Sequence, residues 1–477
     1  MKEIKKLNEA DLITEAEHAM LSQGDKTPAF YGLPKLHSVK AQDVFPRLQP
    51  ICSGSESCTK RLSEFLDRFL KAAARKLPSY IQDTTSFVKK IRDFIPSVAH
   101  KDIHLAVLDV NSLYPNIDQQ EGAKACFDFL ERRRDKSFSS SLIQNLITLV
   151  LKCNTLIFDN RFFHQIKGTA MGTPMAVNFA NLFMGKFEQE MIAEFEHKHK
   201  MKPRMWIRYI DDIFVVCEGK KEDLQKFLAF ANNYAQNAGF SSSIKFKQIY
   251  GKSVDFLDTT VYVQPSGQLA TTLYTKPTAS YNYLHQNLYH ASHVKNALPK
   301  SQFLRIRRIC TSLTDYDTHA SRFIQYFIKR KYNKAQVEQK YEEVRAMKRD
   351  DILEYRTKSV EHDSKIPLVV TYHHKFMGIS KVLQSCSKRA AAHSQDVSRV
   401  FQQPPLVAYR RTKNIKDSLV RANHHKVKKS VPIRDSTKSY IENQINDTGA
   451  ITNPVSGRSC NIAGGAANTR GCIYAAE

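Results

Sequence analysis

A pair of adjacent aspartates, Asp211 and Asp212, interrupts a run otherwise suited to a buried β-strand, RYIDDIFVV (208–216). Neighbouring carboxylates repel each other, and aspartate is depleted in strands. The conflict disappears if the run forms two strands, 205–210 and 213–219, with the aspartates at the tip between them. The pair therefore predicts a tight hairpin that presents two acidic side chains, with a merely solvated turn as the alternative.

The surrounding sequence predicts how this hairpin is packed. From 102 to 262 the hydrophobic pattern alternates between strand and helix. Strands are predicted at 104–110, 205–210, 213–219, 244–250, 254–263 and 268–276, a hairpin that turns at Asp159-Asn160 at 155–168, and helices at 57–77, within 119–152 (two), at 173–195 and at 221–239. The order β-α-β-β-α-β is that of a ferredoxin-like, split βαβ unit. In that unit the strand that ends at Asp109 lies beside the hairpin, so three carboxylates would converge.

Composition indicates the kind of partner. Lys and Arg number 72 against 47 Asp and Glu, which gives a formal charge of +25 and favours a polyanion such as nucleic acid, with a merely basic protein as the alternative. Nine cysteines without a C-x-x-C pair fit a reducing compartment. The chain has no apolar run long enough to span a bilayer, so we expect an intracellular protein without a membrane partner.

The three carboxylates are suited to one kind of metal. Hard oxygen ligands with few other donors favour Mg²⁺, which retains water and binds substrate phosphates. Two such ions about 4 Å apart would activate an attacking hydroxyl and stabilise a leaving pyrophosphate. The histidines show no comparable spacing of metal ligands.

Four segments resemble, in order, the reverse-transcriptase motifs lettered A, B, C and E: LDVNSLYPNI (108–117), GTAMGTPMAVNFANLFMG (168–185), RYIDDIFVV (208–216) and VDFLDTTVYV (254–263). They look most like those of Penelope-like retroelements, the relatives of telomerase. Segments 30–37, 283–312 and 404–420 resemble further blocks of that family. The resemblance implies an α+β fold of the right-hand polymerase type, with fingers, a ferredoxin-like palm, a helical thumb and a basic C-terminal extension.

This resemblance divides the chain into five parts. They are an N-terminal extension with fingers (1–101), the palm (102–262), the end of motif E with the thumb (263–345), a basic helical nucleic-acid-binding extension (346–435) and a linker (436–477). The last part ends in TRGCIYAAE, which looks like the start of a GIY-YIG endonuclease module. We expect that module to be truncated and no nuclease site to be present.

The resemblance also implies roles for residues around the carboxylates. Asp109 and Asp211 would bridge the metal ions, with Asp212 in support and the carbonyl of Val110 as a further ligand. Tyr114 resembles the steric gate against a 2′-hydroxyl, and an ordinary core tyrosine is the alternative. Four residues of motif B resemble the surface on which template and nucleotide rest, and a plain helix start is compatible with the same composition; they are Gly168, Ala170, Met171 and Gly172.

The same resemblance implies which basic side chains would bind the triphosphate of the incoming nucleotide. Lys35 resembles the fingers lysine, and Lys245 the lysine that protonates departing pyrophosphate, although Lys247 shares its strand face. Gln49 stands where the family has an arginine before Pro-Ile. If this segment is extended, Arg47 lies on the same face as Gln49 and would reach the triphosphate instead. Solvated edge-strand lysines are the alternative for Lys35 and Lys245.

Two downstream basic groups are predicted to bind nucleic acid. Arg305, Arg307 and Arg308 lie among apolar residues, and Arg410, Arg411 and Lys413 begin a basic run that extends to 434. An amphipathic helix with a solvated face and a charged linker, respectively, are the alternatives.

The sequence thus predicts an RNA-directed DNA polymerase that uses two Mg²⁺ ions, with Mn²⁺ as a substitute. Its partners would be template RNA, a DNA primer or target, and deoxynucleoside triphosphates. The resemblance implies retroelement replication in the nucleus. The alternatives are a catalytically silent RNA-binding protein derived from such an enzyme, and a polymerase that acts in terminal transfer or DNA-templated repair.

Overall fold

The computed structural model describes residues 2–9, 13–21, 24, 26–35, 45–46, 48–54, 56–98, 102–355, 367–374, 378–395, 399, 406–413, 450–452 and 459–461. The chain divides into two compact units, Met1–Ala270 with Ile433–Glu477, and Thr271–Pro432. The helices are α1 (Lys2–Glu9), α2 (Glu15–Leu21), α3 (Lys60–Ala74), α4 (Thr84–Arg92), α5 (Leu113–Asn116), α6 (Gln119–Leu130), α7 (Ser140–Lys152), α8 (Ala176–His199), α9 (Lys221–Asn237), α10 (Ser292–Ile309), α11 (Leu313–Lys329), α12 (Lys334–Arg345), α13 (Arg349–Leu353) and α14 (Ile379–His393). Among the residues described here, no helix has the length and apolar character needed to cross a membrane.

The strands are β1 (Ala29–Pro34), β2 (Leu48–Ser53), β3 (Ile103–Val110), β4 (Thr155–Phe158), β5 (Arg161–His164), β6 (Met205–Tyr209), β7 (Asp212–Glu218), β8 (Phe246–Gly251), β9 (Ser253–Phe256), β10 (Thr259–Val263), β11 (Leu269–Leu273), β12 (Pro367–Thr371), β13 (Leu406–Arg410), β14 (Ala450–Thr452) and β15 (Ser459–Asn461). In the first unit, β6, β7, β3 and β8 form one antiparallel sheet in that order. This is the strand order of a split βαβ unit, as the sequence predicted.

The core of the first unit lies where helices cover this sheet. Residues from α3, α6, α7, α8 and α9 join apolar residues of β3 and β7 in one buried cluster. β3 is buried along most of its length, since it is the inner strand between β7 and β8. The inner position explains why its sequence, IHLAVLDV, is nearly continuous in apolar residues until Asp109.

A second sheet is built from β2, β1, β4 and β5 in that order. The hairpin of β4 and β5 turns at Asp159 and Asn160, as predicted, and both adopt left-handed backbone conformations (φ 47° and 59°). Asparagine and aspartate tolerate this conformation, which the right-handed twist of a two-residue hairpin requires.

The segment 254–263 departs from the predicted single strand. β9 and β10 pair antiparallel, with Phe256 opposite Thr259, and the chain reverses between them at Leu257, whose φ is 55°. The Thr259 hydroxyl donates to the Phe256 carbonyl at 2.8 Å, which stabilises the reversal. A left-handed leucine gives no signal in the sequence, because glycine or asparagine normally marks such turns.

The second unit contains a helical bundle. α10, α11 and α12 enclose a core that includes Phe303, Ile306, Tyr316, Phe323 and Phe327. The side chains of Ser312 and Asn333 cap the starts of α11 and α12 by accepting backbone hydrogen bonds. β12 and β13 pair in parallel within the same unit. The helical character predicted for the chain beyond residue 280 is confirmed for α10 to α13.

Candidate active site

A row of polar side chains crosses one end of the four-stranded sheet. Asp109 on β3 pairs with Asp212 on β7 on one side and with Lys247 on β8 on the other, and Tyr209 on β6 pairs with Asp212. Directly paired residues in neighbouring strands project to the same face of a sheet. Two like charges are therefore held side by side, which is unfavourable for folding unless a cation offsets it.

The third carboxylate lies in the turn of the β6–β7 hairpin. Ile210 and Asp211 form this two-residue turn, and Ile210 has a left-handed backbone with φ 58°. The Val110 N–H donates to the Asp211 carbonyl at 3.0 Å, so the turn is held against the end of β3. A β-branched residue in this conformation is strained, and strain of this kind persists only where neighbouring groups fix it.

The surroundings of Asp211 disfavour its negative charge. Burial raises the pKa of its carboxyl group above the usual 3.8, and the nearby charge of Asp109 raises it further. The charges of Lys35 and Arg208 act in the opposite direction. The net effect is a carboxylate that an added cation would stabilise.

The three aspartates supply the kind of oxygen ligand that magnesium prefers. Within the described ranges, no three His, Cys, Asp or Glu side chains are grouped closely enough to hold a metal ion. Mg²⁺ does not need such a cage, since it is commonly bound by one or two carboxylates together with water and substrate phosphates. The paired Asp109 and Asp212, with Asp211 beside them, supply ligands of that class.

Tyr114 lies next to these carboxylates. It belongs to the short helix α5, which follows Ser112 in a left-handed conformation (φ 47°). Burial, with smaller contributions from Asp211 and Tyr209, raises the pKa of Tyr114 to about 12. The phenol therefore stays protonated at any physiological pH.

The loop before α8 joins this region to the β1–β2 sheet. The Thr169 N–H donates to the Tyr114 carbonyl, and the Cys52 N–H donates to the Met171 carbonyl, both at 3.0 Å. Gly168 and Gly172 have φ values of 73° and 123°. A Cβ at Gly168 would lie 2.5 Å from the Tyr114 carbonyl oxygen, and one at Gly172 would lie 2.1 Å from the Cys52 carbonyl oxygen. Only glycine fits at either position.

The remaining predicted residues of this loop differ in exposure. Ala170 is buried against Cys52 and Leu156, whereas Met171 is half-buried. The Met171 sulfur accepts a weak hydrogen bond of 3.6 Å from the Gln49 side chain. Gln49 on β2 is therefore in contact with the loop. Lys35 directly follows β1, and Arg47 lies outside the described residues.

The two candidate lysines near β8 have different surroundings. Lys245 precedes the strand and its Nζ donates to the Asn232 carbonyl at 2.9 Å, which directs the ammonium to α9. Lys247 is exposed and directly opposite Asp109. The assignment of a role to Lys245 stays a prediction, and the position of Lys247 beside the carboxylates keeps the alternative open.

Sequence reasoning missed the arginine of RYIDD. The Arg208 side chain is completely buried and its Nε donates to Glu188 at 2.6 Å. Its two Nη atoms donate to the side chain and carbonyl of Asn181, at 2.7 and 3.0 Å, and Nη1 also donates to the Ile210 carbonyl at 3.1 Å. The Ser79 hydroxyl satisfies the other oxygen of Glu188 at 2.7 Å. The sequence did contain a signal for this network, namely an arginine within an apolar strand. A charge buried in such a strand requires hydrogen-bond partners or an ion pair.

The predicted basic contacts of the second unit are only partly accessible. Arg307 is 8% exposed and its charge acts on Tyr316 and Asp317, so the alternative of a solvated basic face does not hold for this residue, and its role in binding nucleic acid stays a prediction. Arg305 and Arg308 are half-buried, and the Arg308 Nε donates to the Ile352 carbonyl. The second group is accessible, since Arg410, Arg411 and Lys413 are all exposed.

Comparison with known families gives two matches. Residues 56–261 match the model of the reverse transcriptase (RNA-dependent DNA polymerase) family, and residues 282–342 match that of the animal helix-turn-helix domain. The first match contains the row of carboxylates, so this segment of the chain is similar to reverse transcriptases. The second covers α10 to α12 for most of their length, a relationship that the sequence analysis did not identify. A search of curated proteins found no match.

Solved structures show distant similarity. A telomerase from Candida tropicalis, truncated from its C-terminal domain, is 12% identical, with a TM-score of 0.39 over 53% of this chain and 56% of that one. Telomerase from Candida albicans with a fragment of telomeric RNA is 10% identical, with a TM-score of 0.46 over 82% and 61%. The RNA-dependent RNA polymerase of a human picobirnavirus is 10% identical, with a TM-score of 0.41 over 66% and 57%. The chain thus spans less than two thirds of the length of each, and TM-scores below 0.5 support no conclusion about activity.

Proposed function

We propose that this chain is an RNA-directed DNA polymerase of the right-hand type, which adds deoxynucleotides to the 3′-hydroxyl of a DNA primer. The observation that carries the proposal is the row across the sheet, where Asp109 faces Asp212 and adjoins the strained turn at Asp211. The row lies inside the reverse transcriptase match. Charge repulsion and backbone strain both cost stability, and where they occur together in a folded protein they typically mark a functional site.

Two Mg²⁺ ions, for which Mn²⁺ would substitute, would be held by Asp109, Asp211, Asp212 and the Val110 carbonyl. When bound, such ions supply stabilisation of the charge that develops during nucleotidyl transfer. The contribution of the chain itself is to fix the carboxylates. The β3–β7 pairing sets the separation of Asp109 from Asp212, and the hydrogen bond from Val110 to the Asp211 carbonyl holds the turn.

Substrate groups would be oriented by residues around the row. Tyr114, protonated and packed near Asp211, would lie under the sugar and exclude a 2′-hydroxyl. Lys35, whose charge already acts on Asp211, would bind the triphosphate together with Arg47. The loop from Gly168 to Gly172 would support the template and the nucleotide. Either Lys245 or Lys247 would donate a proton to the departing pyrophosphate.

The cellular role rests on the resemblance to Penelope-like elements. By that resemblance the substrate would be the RNA of a retroelement, copied in the nucleus from a nicked target or a chromosome end. Arg305 and Arg308, together with the basic residues near 410, would contact template RNA or DNA. The net charge of +25 supports this assignment of partners.

Template competition tests the proposal. The purified chain is given one labelled DNA primer annealed to an RNA template, to a DNA template of the same sequence, or to none, with Mg²⁺ and the four deoxynucleotides. Extension to the end of the RNA template, with the product sequence set by that template, supports reverse transcription. Extension without a template would identify a terminal transferase, and preference for DNA would identify a repair-type polymerase.

A catalytically silent RNA-binding protein is the remaining alternative. Gln49 favours it, since this residue contacts Met171 and stands where the related enzymes have an arginine. In that case the folded chain would bind the primer–template but give no product with either metal ion.

A further inference from the structure

Six aromatic and imidazole rings of the second unit lie together, where the β12–β13 ribbon meets the start of α10. This ring cluster consists of Tyr289, His293, Tyr372, His373, His374 and Tyr409. It lies outside the reverse transcriptase match, and most of it also lies outside the helix-turn-helix match. The site proposed above does not use it.

Tyr289 is the centre of the cluster. Its ring centroid lies 5.2 Å from that of Tyr372, 6.1 Å from that of His373 and 5.8 Å from that of His374. Its hydroxyl accepts the His374 backbone N–H at 3.1 Å, which fixes the orientation of the ring. The residue is nevertheless 47% exposed. A ring whose hydroxyl is hydrogen-bonded and which packs against three other rings, while almost half of the residue is exposed, presents a fixed flat surface to solvent.

The neighbouring rings continue this surface. Tyr409 lies 5.6 Å from Tyr372 and 6.2 Å from His293, between ring centroids. His293 and His374 are exposed, and Tyr372 and Tyr409 are half-buried. The rings therefore do not form a closed core, since none of these residues is among the fully buried ones.

The described segments that carry or adjoin the cluster are rich in cations. The segments that carry or adjoin it, 283–300, 367–374, 378–395 and 406–413, contain no Asp or Glu. Their cations are Lys295, Lys381, Lys388, Arg389, Arg410, Arg411 and Lys413, together with Lys300, whose ammonium is paired with Glu343 of α12. Arg410 is tied to the cluster, because its carbonyl accepts the Tyr372 N–H at 2.8 Å. Exposed rings surrounded by a surplus of cations match the chemistry of unpaired nucleotides, in which phosphates alternate with flat bases.

We propose that the ring cluster is a binding site for single-stranded nucleic acid, on which unpaired bases stack against Tyr289 and its neighbours while Arg410, Arg411 and Lys413 neutralise the phosphates. Duplexes are poor ligands for such a surface, because their bases are already stacked and paired. The site rests on the nucleic-acid contact proposed above for the basic residues near 410 and names its ligand, an unpaired strand, but it does not depend on catalysis. RNA and DNA single strands share the recognised chemistry, and the experiment separates them.

The test is site-specific cross-linking to the full chain in the absence of deoxynucleotides and divalent metal. Single strands of about 12 nucleotides, a length within the usual range for stacking platforms, carry 5-iodouracil and are irradiated with the protein. Cross-linked peptides are then identified by mass spectrometry. We expect adducts at Tyr289, Tyr372 or Tyr409, which unlabelled single strands displace and a blunt duplex does not. The more effective competitor, RNA or DNA, identifies the source of the strand.

Two variants of one residue, with a matched control, complete the test. Tyr289→Leu removes the ring but keeps an apolar side chain, and is expected to reduce the yield of adducts at the cluster about tenfold. Tyr289→Phe keeps the ring, and is expected to retain at least half of the yield. Tyr355→Leu changes a tyrosine of similar exposure (50%) outside the cluster and should have no effect. Adducts confined to other regions, equal displacement by duplex, or equal loss in the Leu and Phe variants would overturn the proposal.

Discussion

Replacement of Arg208 by methionine tests how the carboxylate-bearing turn is held. The change removes four hydrogen bonds: one to Glu188, two to Asn181 and one to the Ile210 carbonyl. Glu188 is 2% exposed and would remain charged in the core, where the Ser79 hydroxyl would be its one remaining partner among the described residues. Removal of one partner from a buried ion pair typically costs about 3–5 kcal/mol, so we expect Arg208→Met to destabilise the first unit by that amount.

The double variant Arg208→Met/Glu188→Met separates stability from positioning. An apolar pair of similar volume often replaces a buried ion pair at little cost, so we expect the double variant to unfold within about 2 kcal/mol of the wild type. The Ile210 carbonyl would still lack its donor, and the strained turn would relax. Primer extension by the double variant should therefore remain at least about tenfold slower in kcat, with the KM for primer–template little changed.

The assay for stability uses a convenient reporter. Trp206 is the only tryptophan, lies on β6 two residues from Arg208 and is 9% exposed, so its fluorescence reports unfolding of this sheet in urea. Arg204→Met is the matched control: Arg204 is exposed, its contact with Glu218 is 3.7 Å long, and we expect a change below about 0.5 kcal/mol. The reasoning is refuted if Arg208→Met costs less than about 1 kcal/mol, or if the double variant regains wild-type kcat.

Three further predictions concern single residues around the row. Because burial raises the pKa of Asp211 above 3.8, its ionised form costs stability at pH values above that raised pKa. Asp211→Asn should thus raise the Tm at neutral pH, and this advantage should fade as the pH falls through the raised pKa toward about 4; a Tm difference independent of pH would contradict this. Gly172→Ala should destabilise the first unit by about 1–3 kcal/mol in urea, since its Cβ would meet the Cys52 carbonyl oxygen, whereas Gly378→Ala, with open space around it, should not. Tyr114→Ala should admit ribonucleotides in single-nucleotide incorporation while Tyr114→Phe still excludes them, and equal selectivity in both variants would count against a steric gate.

The sequence predicted the elements whose signals are local. Three local patterns predicted their own structure: the apolar run before Asp109, the aspartates between two strands, and the Asp159-Asn160 turn. The first two, together with the order of strands and helices, also predicted the sheet order and the approach of the carboxylates. The single strand predicted at 254–263 failed because Leu257 adopts a conformation that its residue type does not suggest. Such reversals depend on tertiary contacts, which a local sequence pattern does not predict.

Side-chain burial was the least predictable property of the site. Arg208 and Arg307 are both arginines among apolar residues, and both are buried in the structure. Sequence reasoning assigned Arg307 to nucleic-acid binding, with a solvated helix face as the alternative, and overlooked Arg208. The partners that allow such burial, Glu188 and Asn181 for Arg208, lie 20 and 27 residues away on another element, so the network appears only once the chain is folded.

The most direct measurement of the central claim compares two aspartates in hairpin turns. Single-nucleotide incorporation on an RNA template with Mg²⁺ is measured for the wild type, Asp211→Asn and Asp159→Asn. Both variants keep the shape of the side chain and remove one negative charge, but Asp159 lies in the exposed turn of β4 and β5, away from the row. We predict that Asp211→Asn abolishes incorporation directed by the template while retaining primer–template binding, and that Asp159→Asn matches the wild type. Wild-type incorporation by Asp211→Asn would contradict the assignment of the active site.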